Sequence, residues 1–156
     1  MRYIHAGLFT FLTLILLLPA HAEHVVDDSE KPNYQFIISG DSGTLKDGEL
    51  TLKGVPIVTF YSLGKDRGAG HFFVESFVKV WNEDASLLEK DPPNGTVSVL
   101  DKDGSSGANL ELSDPEANLN VITFKARVLE GGIPEEFGPF SLYIRFPLKG
   151  HLKTQQ

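Results

Sequence analysis

Apolar and polar residues alternate along much of the chain, which is the pattern of β-strands that bury one face. The clearest example is residues 140–146, where Phe140, Leu142, Ile144 and Phe146 share one face. Similar runs bounded by turn residues predict strands at 34–39, 44–45, 50–52, 57–61, 96–100, 108–112 and 120–129. The pattern predicts a mainly β fold, an antiparallel β-sandwich of about seven or eight strands with one short helix. The last four strands are expected to form a meander.

Turn residues punctuate these runs. Asp47-Gly48 is a strong tight-turn dipeptide, so residues 44–53 are expected to form a short hairpin. Asp114-Pro115 predicts a loop after the strand at 108–112.

The periodicity becomes helical at residues 72–82. Apolar side chains recur there at i, i+3, i+4 and i+7, at Val74, Phe77, Val78 and Trp81. Glu75 precedes Lys79 by four residues, the favourable order for an ion pair on a helix. We predict a helix over 72–82. A strand is the alternative, because the phenylalanines and valines of this segment also favour strands.

The first 22 residues have the three parts of a secretory signal peptide. A short segment with Arg2 is followed by an apolar run at 8–18 and then by Ala20-His21-Ala22, which suits a signal peptidase. The run of 11 residues is shorter than the about 20 of a membrane-spanning helix. We expect cleavage after Ala22, a periplasmic or secreted location, and no membrane insertion afterwards. No cysteine follows the run, so a lipid anchor is not expected.

The remaining 134 residues suffice for one core. We expect a flexible polar lead at 23–32, a single β-sandwich domain at 33–147 and a polar tail at 148–156. The absence of cysteine excludes disulfides, thiolate metal sites and cysteine nucleophiles. Without Arg2 the chain has 13 basic and 21 acidic residues, a formal charge of −8. Such a charge repels phosphate backbones, so nucleic acid is not expected as a partner.

The glycine-rich loop at 64–71 is the densest polar feature. Its glycines follow GxxxGxG rather than the dinucleotide fingerprint, and no βαβ unit surrounds them. Asp66, Arg67 and His71 precede the predicted helix, whose first backbone amides would favour an anion. These three residues are therefore a candidate binding site. The alternative is that the glycines only allow a sharp turn, with Asp66 and Arg67 paired or facing water.

Two further residues complete the candidate binding set. Trp81 ends the predicted helix face, where a tryptophan more often belongs to the core. Asn94 lies in the Pro92-Pro93-Asn94-Gly95 break, which is a turn signal and also the start of a glycosylation acceptor, Asn-Gly-Thr.

No cofactor is expected, and calcium is the one metal for which the sequence leaves a site possible. Neither His-x-His nor HExxH spacing occurs, so zinc is not expected. Asp101 and Asp103 resemble half of a calcium loop, but Gly104 comes too early and a hairpin turn is the better interpretation. A weak calcium site stays open because other acidic residues lie in neighbouring predicted loops. They are Asp114, Glu116, Glu135 and Glu136.

Several short motifs resemble a group of bacterial exported β proteins for which no activity is established. The motifs are Asp66-Arg67-x-x-Gly70-His71, Phe77-Val78-x-x-Trp81, Asp91-Pro92-Pro93-Asn94, the strand 127–131, and Gly138-Pro139-x-Ser141-Leu142-Tyr143-Ile144. The resemblance covers roughly residues 50–146 and implies a bacterial source and an exported domain. It transfers no activity. Gly68 departs from the pattern, in which another residue often holds that position.

No GxSxG elbow or other catalytic signature occurs. We therefore expect a non-enzymatic binding or interaction module with a protein or glycan partner. The alternative is a small-molecule binder or hydrolase-like enzyme centred on Asp66, Arg67 and His71, which would require those side chains to converge. The sequence leaves the oligomeric state open, and assembly through an edge strand is a third possibility.

Overall fold

The computed structural model describes residues 33–62, 68–83, 85–102 and 104–147. The strands are β1 (Asn33–Gly40), β2 (Ser42–Lys46), β3 (Glu49–Lys53), β4 (Ile57–Ser62), β5 (Ala69–Phe73), β6 (Asn94–Asp101), β7 (Gly104–Asn118), β8 (Val121–Gly132), β9 (Glu136–Phe137) and β10 (Phe140–Pro147). The helices are α1 (Val74–Glu83) and the one-turn α2 (Ala85–Leu88). The predicted mainly β, antiparallel fold with a short helix is confirmed.

All ten strands belong to one antiparallel sheet, in the order β5-β4-β1-β10-β6-β7-β8-β3-β2-β9. The sheet is not closed. It folds over so that the inward faces of its two halves, β5-β4-β1-β10-β6 and β7-β8-β3-β2-β9, contribute to one hydrophobic core.

The chain crosses from one half to the other at Asp41, whose amide donates to the carbonyl of Lys53 at 3.0 Å. The backbones approach so closely here that a Cβ on Gly40 would lie 2.5 Å from the same carbonyl oxygen. A glycine at this position therefore lets β1 and β2 belong to opposite halves.

Helix α1 packs between the two halves. Its side chains Val74, Phe77 and Trp81 are buried. The ring centroids of Phe77 and Phe36 of β1 lie 5.3 Å apart, and those of Trp81 and Phe124 of β8 lie 5.7 Å apart. The two contacts join β1 in one half to β8 in the other through a single helix face, as the i, i+3, i+4 spacing requires.

The predicted hairpin at 44–53 is confirmed as β2 and β3. Asp47 and Gly48 both have positive φ, 52° and 81°, which is the conformation that a two-residue Asp-Gly turn adopts.

The sheet has ten strands rather than the predicted seven or eight, because the sequence patterns do not indicate two of them. One is β9, which has only two residues. The other is β5, whose Phe72 and Phe73 were assigned to the helix over 72–82. The helix begins at Val74 and ends at Glu83 instead. Phe72 and Phe73 pair with Val58 and Ile57 of β4, and this pairing outweighs the helical spacing of the segment.

The loop predicted at Asp114-Pro115 is wrong, because both residues lie inside β7, the longest strand at 15 residues. The register shifts between Ser113 and Glu116, and Asp114 has a φ of 47°. A bulge therefore accommodates the proline without ending the strand.

The predicted meander of the last four strands is only partly right. β6, β7 and β8 pair in order, but β10 lies between β1 and β6. Its long-range partners on β1 run from Asn33 to Gly40, and local sequence gives no indication of them. In the described part of the chain, no helix has the length and apolarity needed to cross a membrane.

The two phenylalanines around the start of α1 should differ sharply in their effect on stability. Phe77 is fully buried, whereas Phe73 is 71% exposed. We expect Phe77→Ala to lower the free energy of unfolding by about 3–5 kcal/mol through the cavity it leaves. Phe73→Ala, the matched control, should change it by about 0.5 kcal/mol or less. Urea denaturation in dilute solution measures both, and similar losses would contradict the packing described here.

Candidate functional site

The candidate residues that the structure describes occupy separate places. His71 lies on β5, where its side chain is exposed and Thr59 of β4 stands opposite. Trp81 is 3% exposed and belongs to the core. Asn94 starts β6, is exposed, and pairs with Glu111 of β7. Asp66 and Arg67 lie outside the described residues.

His71, Trp81 and Asn94 do not form one cleft. Four strand spacings separate β5 from β6, roughly 20 Å at the usual distance between strands. His71 and Asn94 are therefore far apart, and Trp81 lies inside the protein. Within the described strands, the residues facing outward beside His71 on β5 and β4 are uncharged, so the histidine has no adjacent carboxylate there to act as a catalytic partner.

One end of the sheet is free of charge. The three adjacent strands β5, β4 and β1 contain no Asp, Glu, Lys or Arg. We call their outward side chains the uncharged face. They are Ala69, His71 and Phe73 of β5, Ile57, Thr59 and Tyr61 of β4, and Gln35, Ile37 and Ser39 of β1. In a chain with a formal charge of −7, three neutral strands side by side are the most distinctive feature of the surface.

Large apolar side chains are exposed on this face. Phe73 and Ile57 stand directly opposite each other and are 71% and 41% exposed. Ile37 is opposite Tyr143 of β10, which is 39% exposed and extends the apolar surface by one strand. Large apolar side chains exposed on neighbouring strands often mark an interaction site.

Hydrogen bonds between outward side chains fix parts of the face. The Tyr61 hydroxyl donates to Oε1 of Gln35 at 2.5 Å. The hydroxyls of Ser39 and Ser141 lie 3.0 Å apart. Because these polar groups bond across strands, the face is ordered around its apolar residues.

The other half of the sheet carries a charged depression of about 370 Å³. Its lining is Asp47, Gly48, Glu49, Glu111, Ser113, Lys125, Ala126 and Arg127. Arg127 donates to both oxygens of the Glu111 carboxylate, from Nε at 3.1 Å and from Nη2 at 2.7 Å. Lys125 Nζ lies 2.7 Å from Asp114 Oδ2. Since both cations are engaged by carboxylates, neither is poised to bind an anion.

The ion pairs raise the pKa values of their basic partners. The hydrogen bond with Asp114, and then its charge, raises the pKa of Lys125 above 10.5, with a smaller contribution from Glu116. The hydrogen bond and charge of Glu111 likewise raise the pKa of Arg127. A raised lysine pKa contributes stability that is complete below the unfolded value and is lost as pH rises through the folded value. Protonation of Lys125 therefore does not make stability pH-dependent near neutrality.

No group of three or more His, Asp or Glu side chains in the described part of the chain is arranged to hold a metal ion. Asp114 and Glu135, two of the acidic residues that left calcium open, are paired with Lys125 and Lys46. Calcium stays a prediction without a located site.

The sequence itself contains an indication of the uncharged face. Residues 33–40, 57–62 and 69–73 each lack Asp, Glu, Lys and Arg. What the sequence does not indicate is that these three segments are neighbours, because β1 and β4 pair across more than twenty residues and β5 was not predicted.

The contact between Lys125 and Asp114 in the charged depression can be tested through the pKa of Lys125, to which Asp114 contributes most and Glu116 least. Asp114→Asn should lower the pKa of Lys125, because it removes the carboxylate that contributes most. Glu116→Gln, the matched control, should lower it less, since Glu116 is the weakest contributor. Lysine side-chain NMR titration measures both. An equal effect of the two substitutions would show that the Lys125–Asp114 contact does not form in solution.

Comparisons of the chain with protein-family models, with curated protein sequences and with solved structures gave no match, so its function has to be argued from this geometry.

Proposed function

We propose that this chain is an exported, non-enzymatic binding module that recognises a protein partner through the uncharged face. The observation that carries the proposal is the pair Ile57 and Phe73, exposed side by side on three strands without charge. Exposed apolar surface costs solubility, and an acidic protein keeps it where a partner covers it.

The packing of the interior supports binding on the outside. The inward side chains of the strands and of α1 form one hydrophobic cluster. The Phe77 and Trp81 rings, whose centroids lie 5.8 Å apart, belong to this cluster and occupy part of the space between the two halves. We therefore place the proposed binding surface on the outward side of the sheet.

The chemistry of the face favours a protein over the other partner classes. Its aliphatic and aromatic side chains offer dispersion contacts and hydrophobic burial, with a few neutral hydrogen-bonding groups between them. The acidic remainder of the chain disfavours nucleic acid. A glycan is the alternative, since Tyr61 and Tyr143 could stack against sugar rings, but Ile57 beside Phe73 is better suited to a protein.

A cross-linking amino acid at Ile57 tests the proposal. A benzophenone side chain placed there, in the organism that encodes the chain, should give a discrete adduct with another protein. The control carries it at Leu119, which is 78% exposed at the turn between β7 and β8. The control should give no such adduct. Equal adducts at both positions, no adduct at Ile57, or capture of glycans alone would each contradict a protein partner at the uncharged face.

Once the partner is isolated, substitutions measure how much the face contributes. Ile57→Lys should weaken binding about tenfold or more, because it places an unpaired charge in a desolvated contact. Ser98→Lys, an exposed position on β6, is the matched control and should leave the dissociation constant unchanged within about twofold. Isothermal titration calorimetry gives both dissociation constants. Equal effects of the two substitutions would show that the binding site does not include β4.

The export route belongs to the same proposal and has its own test. If the first 22 residues are a signal peptide, the protein recovered from the periplasm or medium should begin at Glu23. N-terminal sequencing and intact mass determine this. A full-length chain retained in the cytoplasm would contradict the proposed location.

A further inference from the structure

Strand β5 is an edge without the usual protection. Among the described strands it pairs only with β4 and ends the sheet. Natural edge strands are commonly blunted by charged residues, proline, bulges or shortness. The opposite edge follows this rule, because β9 has two residues and one is Glu136. β5 has five residues, no charge and no proline, and it ends in the exposed Phe73.

The register shows which backbone groups of β5 point away from β4. The Ser62 amide donates to the Gly68 carbonyl at 2.8 Å, and the Val74 amide donates to the Pro56 carbonyl at 3.4 Å. In an antiparallel pair, bonded residues alternate with non-bonded ones. The amides and carbonyls of Gly70 and Phe72 therefore point to β4, and those of Ala69 and His71, with the Phe73 amide, point to the free edge.

We propose that β5 pairs with β5 of a second copy of this chain, antiparallel, about a two-fold axis at His71. His71 then stands opposite His71 of the second copy, and Ala69 stands opposite Phe73. The amide and carbonyl of His71 then bond to those of His71 in the second copy, the Phe73 amide bonds to the Ala69 carbonyl, and the sheet continues from one copy into the other. The inference goes beyond the proposed function and does not depend on it.

The side chains of the edge suit this pairing. Phe73, the most exposed large apolar side chain on the uncharged face, would lie across from Ala69, the smallest outward side chain of β5. Tyr61 is next to Ala69 on β4, so it would border the same ring. Placing a large side chain beside a small one at both ends of the strand makes the edge complementary to itself.

Charge also favours a second copy at this edge. Two chains of formal charge −7 repel each other, and the repulsion is weakest where carboxylates are few. The described residues of β5 and of its two neighbours β4 and β1 include none. The dimer would join two uncharged faces into one surface of six adjacent strands, which doubles the area open to a partner.

The size of the contact sets the expected affinity. Pairing through five residues buries less than the about 1,200 Å² of stable complexes, so the dimer should depend on concentration. Sedimentation equilibrium of the exported protein should show the mean mass rising from one copy towards two between about 1 µM and about 1 mM. A protein that stays monomeric across this range would overturn the inference.

Charge substitutions at the axis test the geometry. His71→Lys and His71→Glu should each weaken self-association at least about tenfold, because like charges would stand opposite each other. An equimolar mixture of the two variants should associate again, since the new cation of one chain then faces the new carboxylate of the other. Only pairing that places residue 71 opposite itself predicts this rescue.

The same charges placed elsewhere provide the control. Ser98→Lys and Ser98→Glu lie on the outer face of β6, away from β5, and should associate like the natural chain. Circular dichroism and urea denaturation should show that all four variants remain folded, because position 71 is exposed on an edge strand. Variants at His71 that associate unchanged, a mixture without rescue, or equal losses at Ser98 would overturn pairing through β5, whatever the cross-linking at Ile57 shows.

Discussion

The packing of one helix face against both halves of the sheet is the constraint on which the rest of the structure depends. Phe77 of α1 contacts Phe36 in one half, and Trp81 contacts Phe124 in the other. Aromatic rings in such tilted and edge-to-face contacts add to the stabilisation from burial. Because α1 contacts both halves, its aromatic rings occupy part of the space between them, and the outward side chains of the described strands remain at the surface.

The outer surface divides into two chemically different regions. At the end formed by β5, β4 and β1 the strands are neutral and expose Ile57 and Phe73. On β7 and β8 the outward surface carries charged side chains, including the bonded pair Arg127 and Glu111, beside the exposed Val128 and Leu129. The neutral region has no internal partner for its apolar side chains, so it is the region that a partner would stabilise.

Local sequence predicted those parts of the fold that local chemistry decides. The Asp47-Gly48 turn and the alternation in β10 were recognisable because two adjacent residues or one period of two determine them. The start of α1 was misplaced, because Phe72 satisfies both a helical and a strand pattern and only its pairing with Val58 decides between them. Pro115 predicts a loop, but Asp114 adopts a positive φ and forms a bulge with the proline, so the strand continues past both residues.

The candidate site could be predicted less well than the fold. Polar residues such as Asn94 and His71 are candidates for a binding site because their side chains form hydrogen bonds, yet the strand order of the sheet separates them. The neutral segments were visible in the sequence, but their adjacency depends on long-range pairing between β1 and β4. A surface defined by the absence of charge is found only when distant segments are known to be neighbours.

Amide hydrogen exchange followed by NMR at two protein concentrations tests most directly the central claim about the uncharged end of the sheet, namely that the free edge of β5 pairs with a second copy of the chain. The amides of Gly70 and Phe72 point to β4 and should be protected at both concentrations. The amides of His71 and Phe73 should exchange rapidly in dilute solution and become protected in concentrated solution. Rapid exchange of both amides at every concentration would contradict this pairing.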